Sequence, residues 1–283
     1  MSTLTATTSS TNPSLGAGDV GKSYFETDTN KILVWDGTAF LKYETDSAIG
    51  GAYSNRYAID FDGTNDYLQS SSTSQSYTLG TLSLWFKPDS TISSSSSDQA
   101  LVGFNSDYHS IILGSATGTL GNEVVMIMTP SVNYAYTSTT ASISTDWHHL
   151  VVVWDSVASE YKIYLDNVQV KNAQSTGTPA QMSVDDVMIG YRDQLGGYFD
   201  GKIDEVSIFS TSLTTAQITT MYNSGVPSDI SSLSPLSWWR MLDSDGGTGS
   251  SVTDDGSLTN NMTLVNSPTI HDLSVAPDSI YVA

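Results

Sequence analysis

At 283 residues the chain is long enough for one large all-β sandwich or for two ordinary domains, each with a sizeable core. Ten basic against 30 acidic residues give a formal charge of −20, which repels a phosphate backbone over almost the whole surface and argues against nucleic acid as a partner. No cysteine is present, so disulfide frameworks, thiolate metal sites and cysteine nucleophiles are excluded.

The acids comprise 25 aspartates and five glutamates, a balance that belongs to turns and loops and not to helix surfaces. With 39% apolar residues and 15 tyrosines the chain has the large side chains that a core requires. No apolar run approaches 18 residues, so membrane insertion is not expected, and the N-terminus has neither the basic start nor the apolar run of a secretory signal.

Residues 1–18 are mostly Ser, Thr, Gly and Pro and read as an extended arm. Over residues 19–50, Tyr24-Phe25, Ile32 to Trp35 and Phe40-Leu41 alternate with the turn signals Asp28-Thr29-Asn30 and Asp36-Gly37. They predict a small module of three antiparallel strands. So small a sheet cannot bury two faces, so it is expected to serve attachment or oligomerisation, with self-assembly into trimers or another homo-oligomer.

From residue 51 onward strand follows strand. Tyr57 to Phe61 ends at Asp62-Gly63, Leu82, Leu84 and Phe86 alternate with polar or outward positions, and Leu150 to Trp154 is continuously apolar, as expected for a strand covered on both faces. Tyr161, Ile163 and Leu165 share one face before a two-residue hairpin at Asp166-Asn167. Thr214 followed by Gln217 forms a capping-box pattern ahead of Ile218, Met221 and Tyr222, with Gly225 and Pro227 as stops. That single short helix is expected to pack over one end of the sandwich. Leu233 to Leu242 reads as another strand, with Met262 to Val265 after a Gly/Asp-rich loop.

Five segments carry a likeness: Asp60-Phe-Asp-Gly-Thr-Asn-Asp-Tyr67, Leu82-Ser-Leu-Trp-Phe-Lys-Pro88, Asp146-Trp-His-His-Leu150 with Tyr161 to Val168, Ile189-Gly-Tyr-Arg192, and Phe199 to Val206. Together they resemble successive motifs of the laminin-G-like, concanavalin A-like jelly-roll family. The resemblance implies a two-sheet antiparallel sandwich whose members mostly bind glycans or proteins, often with a structural calcium ion. The stretch Trp238 to Pro268 resembles the opening strands of such a domain, although it stands at the end. Forty-five residues cannot build a second sandwich, so strands within 233–270 are expected to complete a jelly roll spanning 51–283. Gly21 to Gly37 resembles a short β module of tailed-phage virion proteins.

The resulting expectation is a non-enzymatic structural protein on a virion surface, a capsid decoration, head fibre or tail fibre, held to other virion proteins by its N-terminal part and displaying a lectin-like jelly roll toward glycans. The alternatives are a bacterial carbohydrate-binding lectin or adhesin, secreted or on the cell surface, and a glycoside hydrolase. Hydrolysis needs two carboxylates flanking the scissile bond, and Glu26-Thr-Asp28-Thr-Asn-Lys31 only approaches the paired-acid spacing of related glucanases, outside the sandwich.

Adjacent His148 and His149 leave opposite faces of one strand and cannot share a metal. Gly16-Ala-Gly-Asp-Val-Gly21 fits a dinucleotide-loop pattern but lacks the strand before and the helix after. Asp62, Asn65 and Asp66 make an oxygen-rich turn, and Asp204 and Glu205 sit on a later strand, where strict alternation aims Glu205 at apolar surface. These five suit calcium; ordinary Asx turns beside a hydrogen-bonded acid are the favoured alternative. For glycans the candidates are Tyr108, Tyr134, Tyr136, Tyr191 and Tyr198 with Arg192 and Asp193, because sugar rings stack on aromatic faces while polar neighbours hold hydroxyls.

Overall fold

A computed structural model describes residues 53–71, 75–93, 97–104, 110–114, 125–128, 135–137, 142–155, 157–158, 160–174, 182–184, 186–192 and 197–273, together with the strands Thr5–Thr7, Ser23–Glu26, Lys31–Trp35 and Phe40–Glu44. The chain divides into two compact units, Met1–Ser54 and Asn55–Ala283.

The first unit holds one sheet. Lys31–Trp35 pairs antiparallel with Ser23–Glu26 and with Phe40–Glu44, the three strands read from the turn signals. A fourth was not expected: Thr5–Thr7, within the segment read as an arm, adds to Ser23–Glu26 in parallel. Its two β-branched threonines suit an edge strand.

The second unit is an antiparallel sandwich of two sheets. In order, the first sheet runs Ala135–Thr137, Val125–Met128, Ser110–Leu113, Gln99–Phe104, Val187–Ile189, Tyr67–Ser70, Met262–Val265 and Ser251–Val252. The second runs Val168–Gln174, Glu160–Leu165, His148–Asp155, Leu79–Pro88, Asp200–Phe209, Tyr57–Asp62 and Thr269–Asp272, with Ser237–Trp239 paired to Asp200–Phe209. Met262–Val265 zips onto Tyr67–Ser70 and Thr269–Asp272 onto Tyr57–Asp62, so late strands lie beside the earliest strands of both sheets.

The core lies between the sheets and follows the period of two. Ile59 and Phe61, Leu82, Leu84 and Phe86, and Leu150, Val152 and Trp154 all point inward and are buried. Phe199 sets its ring edge-on against Phe61 at 6.5 Å and Phe86 at 6.4 Å, closing one end of this core. Gly80 stands where any Cβ would lie 2.3 Å from the Trp154 indole, so the closest approach of ring to strand depends on the missing side chain. At the hairpin, Asp166 and Asn167 both adopt left-handed backbone, φ 50° and 64°, the conformation of the tight turn their identity predicts.

The helix Thr215–Tyr222 carries its capping box, with Thr214 Oγ accepting from the Gln217 amide and Gln217 Oε1 accepting from the Thr214 amide. Its position corrects the expectation. The Tyr222 ring lies parallel to Trp85 at 5.9 Å, and Trp85 with Trp147, Ala58 and Leu273 forms a second apolar cluster on the outer face of the second sheet. The helix therefore covers a sheet face, because outward Trp85 and Trp147 demand an apolar cover that turn residues cannot supply.

Candidate functional site

Gly190 turns the chain sharply at φ 82°, and its bare Cα faces the Phe61 ring, which a Cβ would meet at 2.7 Å. Tyr191 and Arg192 then lie over Gly103 of the first sheet, where a Cβ would strike the Tyr191 carbonyl at 2.6 Å. This path sets the Tyr191 ring beside Tyr67 at 5.1 Å and stacked on Tyr198 at 4.4 Å with a 13° interplanar angle. The ring contacts run Tyr67, Tyr191, Tyr198, with Tyr191 in the middle, and all three residues are half-buried. The Tyr67 and Tyr198 hydroxyls make no hydrogen bond to a described residue. Each end ring of the row thus keeps a hydroxyl that a polar partner can bond.

Beside the row, Arg192 is buried and donates to Asp98 Oδ2 at 2.8 Å, so its charge is already matched. Tyr191, Tyr198 and Arg192 are thus brought together as sequence reasoning grouped them. Tyr67 was missed: it was read as part of a fold motif, and its partner Tyr191 lies far along the chain. Tyr108, Tyr134 and Asp193 lie outside the described residues, and Tyr136 falls on the strand Ala135–Thr137, whose side chains are likewise outside them.

The oxygen-rich turn is an Asx turn. Asp62 Oδ1 accepts from the amides of Thr64 at 2.8 Å and Asn65 at 3.1 Å, which lowers its pKa below the ordinary carboxylate value. Asp66 is buried and shifted upward, chiefly by burial and then by the charge of Asp62. Asp204 and Glu205 do not join this turn. In register Asp200 is opposite Asp62, and four residues of strand carry Asp204 roughly 13 Å further along. One calcium shell, with oxygens at about 2.3–2.6 Å from the ion, cannot span that distance. The five residues therefore do not fit a single ion, and among the described residues no group of three or more His, Asp or Glu is arranged to hold a metal.

Glu205 is placed by an irregularity that strict alternation cannot foresee. The ladder between Asp200–Phe209 and Leu79–Pro88 shifts register between Asp204 and Ser207, and Glu205 sits at φ 50°. The bulge turns its side chain to Trp238 and Arg240, away from the apolar face that alternation assigned to it. The Trp238 indole N–H donates to Glu205 Oε2 at 2.5 Å and Arg240 Nε lies 3.4 Å from Oε1. Arg240 also meets Asp243 at 3.4 Å and Asp255 at 3.9 Å, so three carboxylates surround one guanidinium. Asp243 Oδ1 accepts from the amides of Arg56 and Tyr57, both at 2.9 Å. Its pKa is pushed up to about 8, first by burial and then by Glu205.

His148 and His149 do part to opposite faces. His148 Nδ1 bonds Asp166 Oδ2 at 2.8 Å and Nε2 meets Ser144 Oγ at 3.1 Å, a Ser-His-Asp chain; the serine also donates to Asp146 Oδ2 and accepts the Asp146 amide, which fixes it as a loop clamp. His149 stacks on Trp85 at 4.7 Å and meets Ser83 Oγ through Nε2 at 2.8 Å. Burial lowers its pKa to about 3, so the ring is neutral at neutral pH. It lines, with Ser83, Trp85, Glu205, Met221 and Ile230, a small cleft of about 10 Å³ under the helix. Ser83 is buried, which denies a polymeric substrate access to this Ser-His pair.

The match that decides the family covers residues 62–219, against a family described as the concanavalin A-like lectin/glucanases superfamily. The chain belongs to that superfamily. The matched span takes in Tyr67, Tyr191 and Tyr198 and ends at the helix; the superfamily sandwich in this chain also includes Ser237–Trp239, Met262–Val265 and Thr269–Asp272. Among solved structures, a candidate carbohydrate-binding protein from Bacteroides ovatus superposes with a TM-score of 0.61 at 16% identity, covering 89% of this chain and 70% of that one. Domain 4 of an extracellular arabinanase from Geobacillus stearothermophilus, in complex with arabinotriose, gives 0.44 at 20% identity over 61% of this chain and 89% of that domain. The CBM40 of the Ruminococcus gnavus IT-sialidase, bound to α2,3-sialyllactose, gives 0.42 at 15% identity over 58% and 95%. The likeness to the first establishes the superfamily fold alone. No curated protein matches the chain in sequence.

Proposed function

We propose that the sandwich is a non-catalytic carbohydrate-binding domain whose sugar contact is the Tyr67, Tyr191, Tyr198 row. The observation that carries this reading is the row itself: three half-buried rings in contact, two of them with hydroxyls that no described residue bonds, at the ends of two neighbouring interior strands of a lectin-type sandwich. Tyr191 is the support and Tyr198, stacked on it by one face, has the other to offer to a sugar ring. Glycan-array screening of the full chain tests it, followed by calorimetry on the best binder. Tyr198→Ala should weaken binding by tenfold or more with the melting temperature retained; an unchanged affinity would remove the row from the reading.

Residues 1–54 form a separate unit with its own sheet, and the segment 21–37 resembles a virion module. These two observations support display of the sandwich on a phage particle, with the first unit serving assembly among copies and other virion proteins. Light scattering of the full chain, together with antibody labelling of virions in negative stain, tests this. A monomer that labels neither head nor tail would refute it.

A further inference from the structure

We propose that the tyrosine row selects its sugars by charge, accepting amine-bearing and neutral glycans and rejecting those that carry carboxylates; this rests on the glycan-binding reading above. Phe199 is buried in the core, and its two chain neighbours, Tyr198 and Asp200, are both half-buried. Two residues of extended chain separate them by roughly 7 Å. The Asp200 carboxylate accepts no hydrogen bond from a described residue, and its proton affinity is raised by burial and then by Asp89, Asp60 and Asp62. On the other flank Asp66 immediately precedes Tyr67 and is raised in the same way, by burial and by Asp62 and Asp60. Asp200 thus lies close in the chain to one end of the row and Asp66 to the other, each among further aspartates.

The neighbouring cations do not cancel these charges at the row. Arg192 is spent on Asp98 at 2.8 Å, and Lys202 is shared between Asp60 and Asp89 at 3.4 Å each. Lys87, opposite Lys202 in register, also has a partner. A sugar carboxylate stacked on Tyr198 would sit within about one Debye length, ~8 Å at physiological salt, of Asp200, where like charges are poorly screened. Sugar hydroxyls, by contrast, donate well to carboxylates, and a sugar ammonium adds a charge-assisted bond. Rejection by repulsion is how an interface of modest affinity gains selectivity.

The test uses the full chain on an array that holds neutral, amine-bearing and uronic- or sialic-acid-bearing versions of the same backbones, read at 50 and 500 mM NaCl with a chelator present. The expected result is binding at least tenfold weaker for the acidic versions at 50 mM, with the ratio shrinking at 500 mM. Asp200→Asn, and separately the more exposed Asp89→Asn, should raise binding of acidic versions severalfold, and Asp89→Asn should leave neutral versions within twofold. Equal binding of acidic and neutral versions overturns the charge rule while leaving the tyrosine row as a sugar site. Failure of the folded protein to bind any array member overturns the glycan reading, and the charge rule falls with it.

Discussion

Replacing Arg240 with methionine removes one positive charge while keeping an apolar stem over the Trp238 ring, where the guanidinium carbon sits 5.0 Å from the centroid. The charge it removes faces Glu205 and Asp243 at 3.4 Å and Asp255 at 3.9 Å. The Glu205 and Asp243 side chains are only 5% and 1% exposed, so water cannot replace the lost partner. Asp243, whose proton is held to about pH 8, is largely neutral at pH 7, which leaves Glu205 as the charge most in need of Arg240. Stranding one buried charge costs about 3–5 kcal/mol. For a unit of this size each kcal/mol moves Tm by roughly 2–4 °C, so the fall is expected to be about 6–20 °C.

Thermal and urea unfolding followed by tryptophan fluorescence reads this directly, since Trp238 is part of the cluster. At pH 7 the variant should melt well below the parent, and the gap should narrow as pH falls toward the carboxylate range, where protonation replaces the missing cation. A Tm drop under about 2 °C at pH 7 would refute the reasoning, because it would mean that the carboxylates of the cluster are solvated. A pH-independent drop would assign the loss to packing over Trp238 and not to charge.

Three further outcomes follow from the same structure. Asp243 has a folded pKa raised from 3.8 to about 8, so its contribution to stability is full below about pH 4 and is lost as pH rises through about 8. Urea unfolding from pH 5 to 9 should show stability falling, and Asp243→Asn, which keeps the Oδ1 acceptor for the Arg56 and Tyr57 amides, should flatten that slope; an unchanged slope would place the titration elsewhere. Gly80→Ala forces a Cβ to within 2.3 Å of the Trp154 ring and 2.6 Å of the Phe209 carbonyl, an overpacking expected to cost about 1–3 kcal/mol by urea unfolding, and a neutral variant would show that the strand can yield. Since Glu205 is satisfied by Trp238 and Arg240 and lies far from Asp62, adding EDTA should leave Tm within about 1 °C; a fall reversed by calcium would refute this.

Strand identity was legible wherever one face is buried, because period-two alternation at Ile59 and Phe61, or at Leu82, Leu84 and Phe86, is itself the record of that burial. The Asp166-Asn167 turn and the Thr214 capping box were legible because local chemistry alone sets them. What escaped depends on residues distant in sequence. The Glu205 bulge exists to meet Trp238, 33 positions later, and the Tyr67–Tyr191 contact closes over a gap of more than a hundred residues. The helix likewise answers to outward Trp85 and Trp147, not to its own sequence.

The aspartates read first as turn formers make the final link. Asp62 draws the Thr64 and Asn65 amides to its carboxylate, and those bonds hold it in the charged form. That fixed charge is among the causes that raise Asp66 and Asp200 on either side of the tyrosine row. Turn geometry and the electrostatics of the site are therefore one set of bonds, and Asp62→Asn is expected to act on both. It would weaken the turn and soften the field around Tyr198 together, so the tolerance for acidic sugars should rise in proportion to the fall in the raised Asp200 titration measured by carboxyl NMR. An Asp200 titration that does not move on Asp62→Asn would break that link.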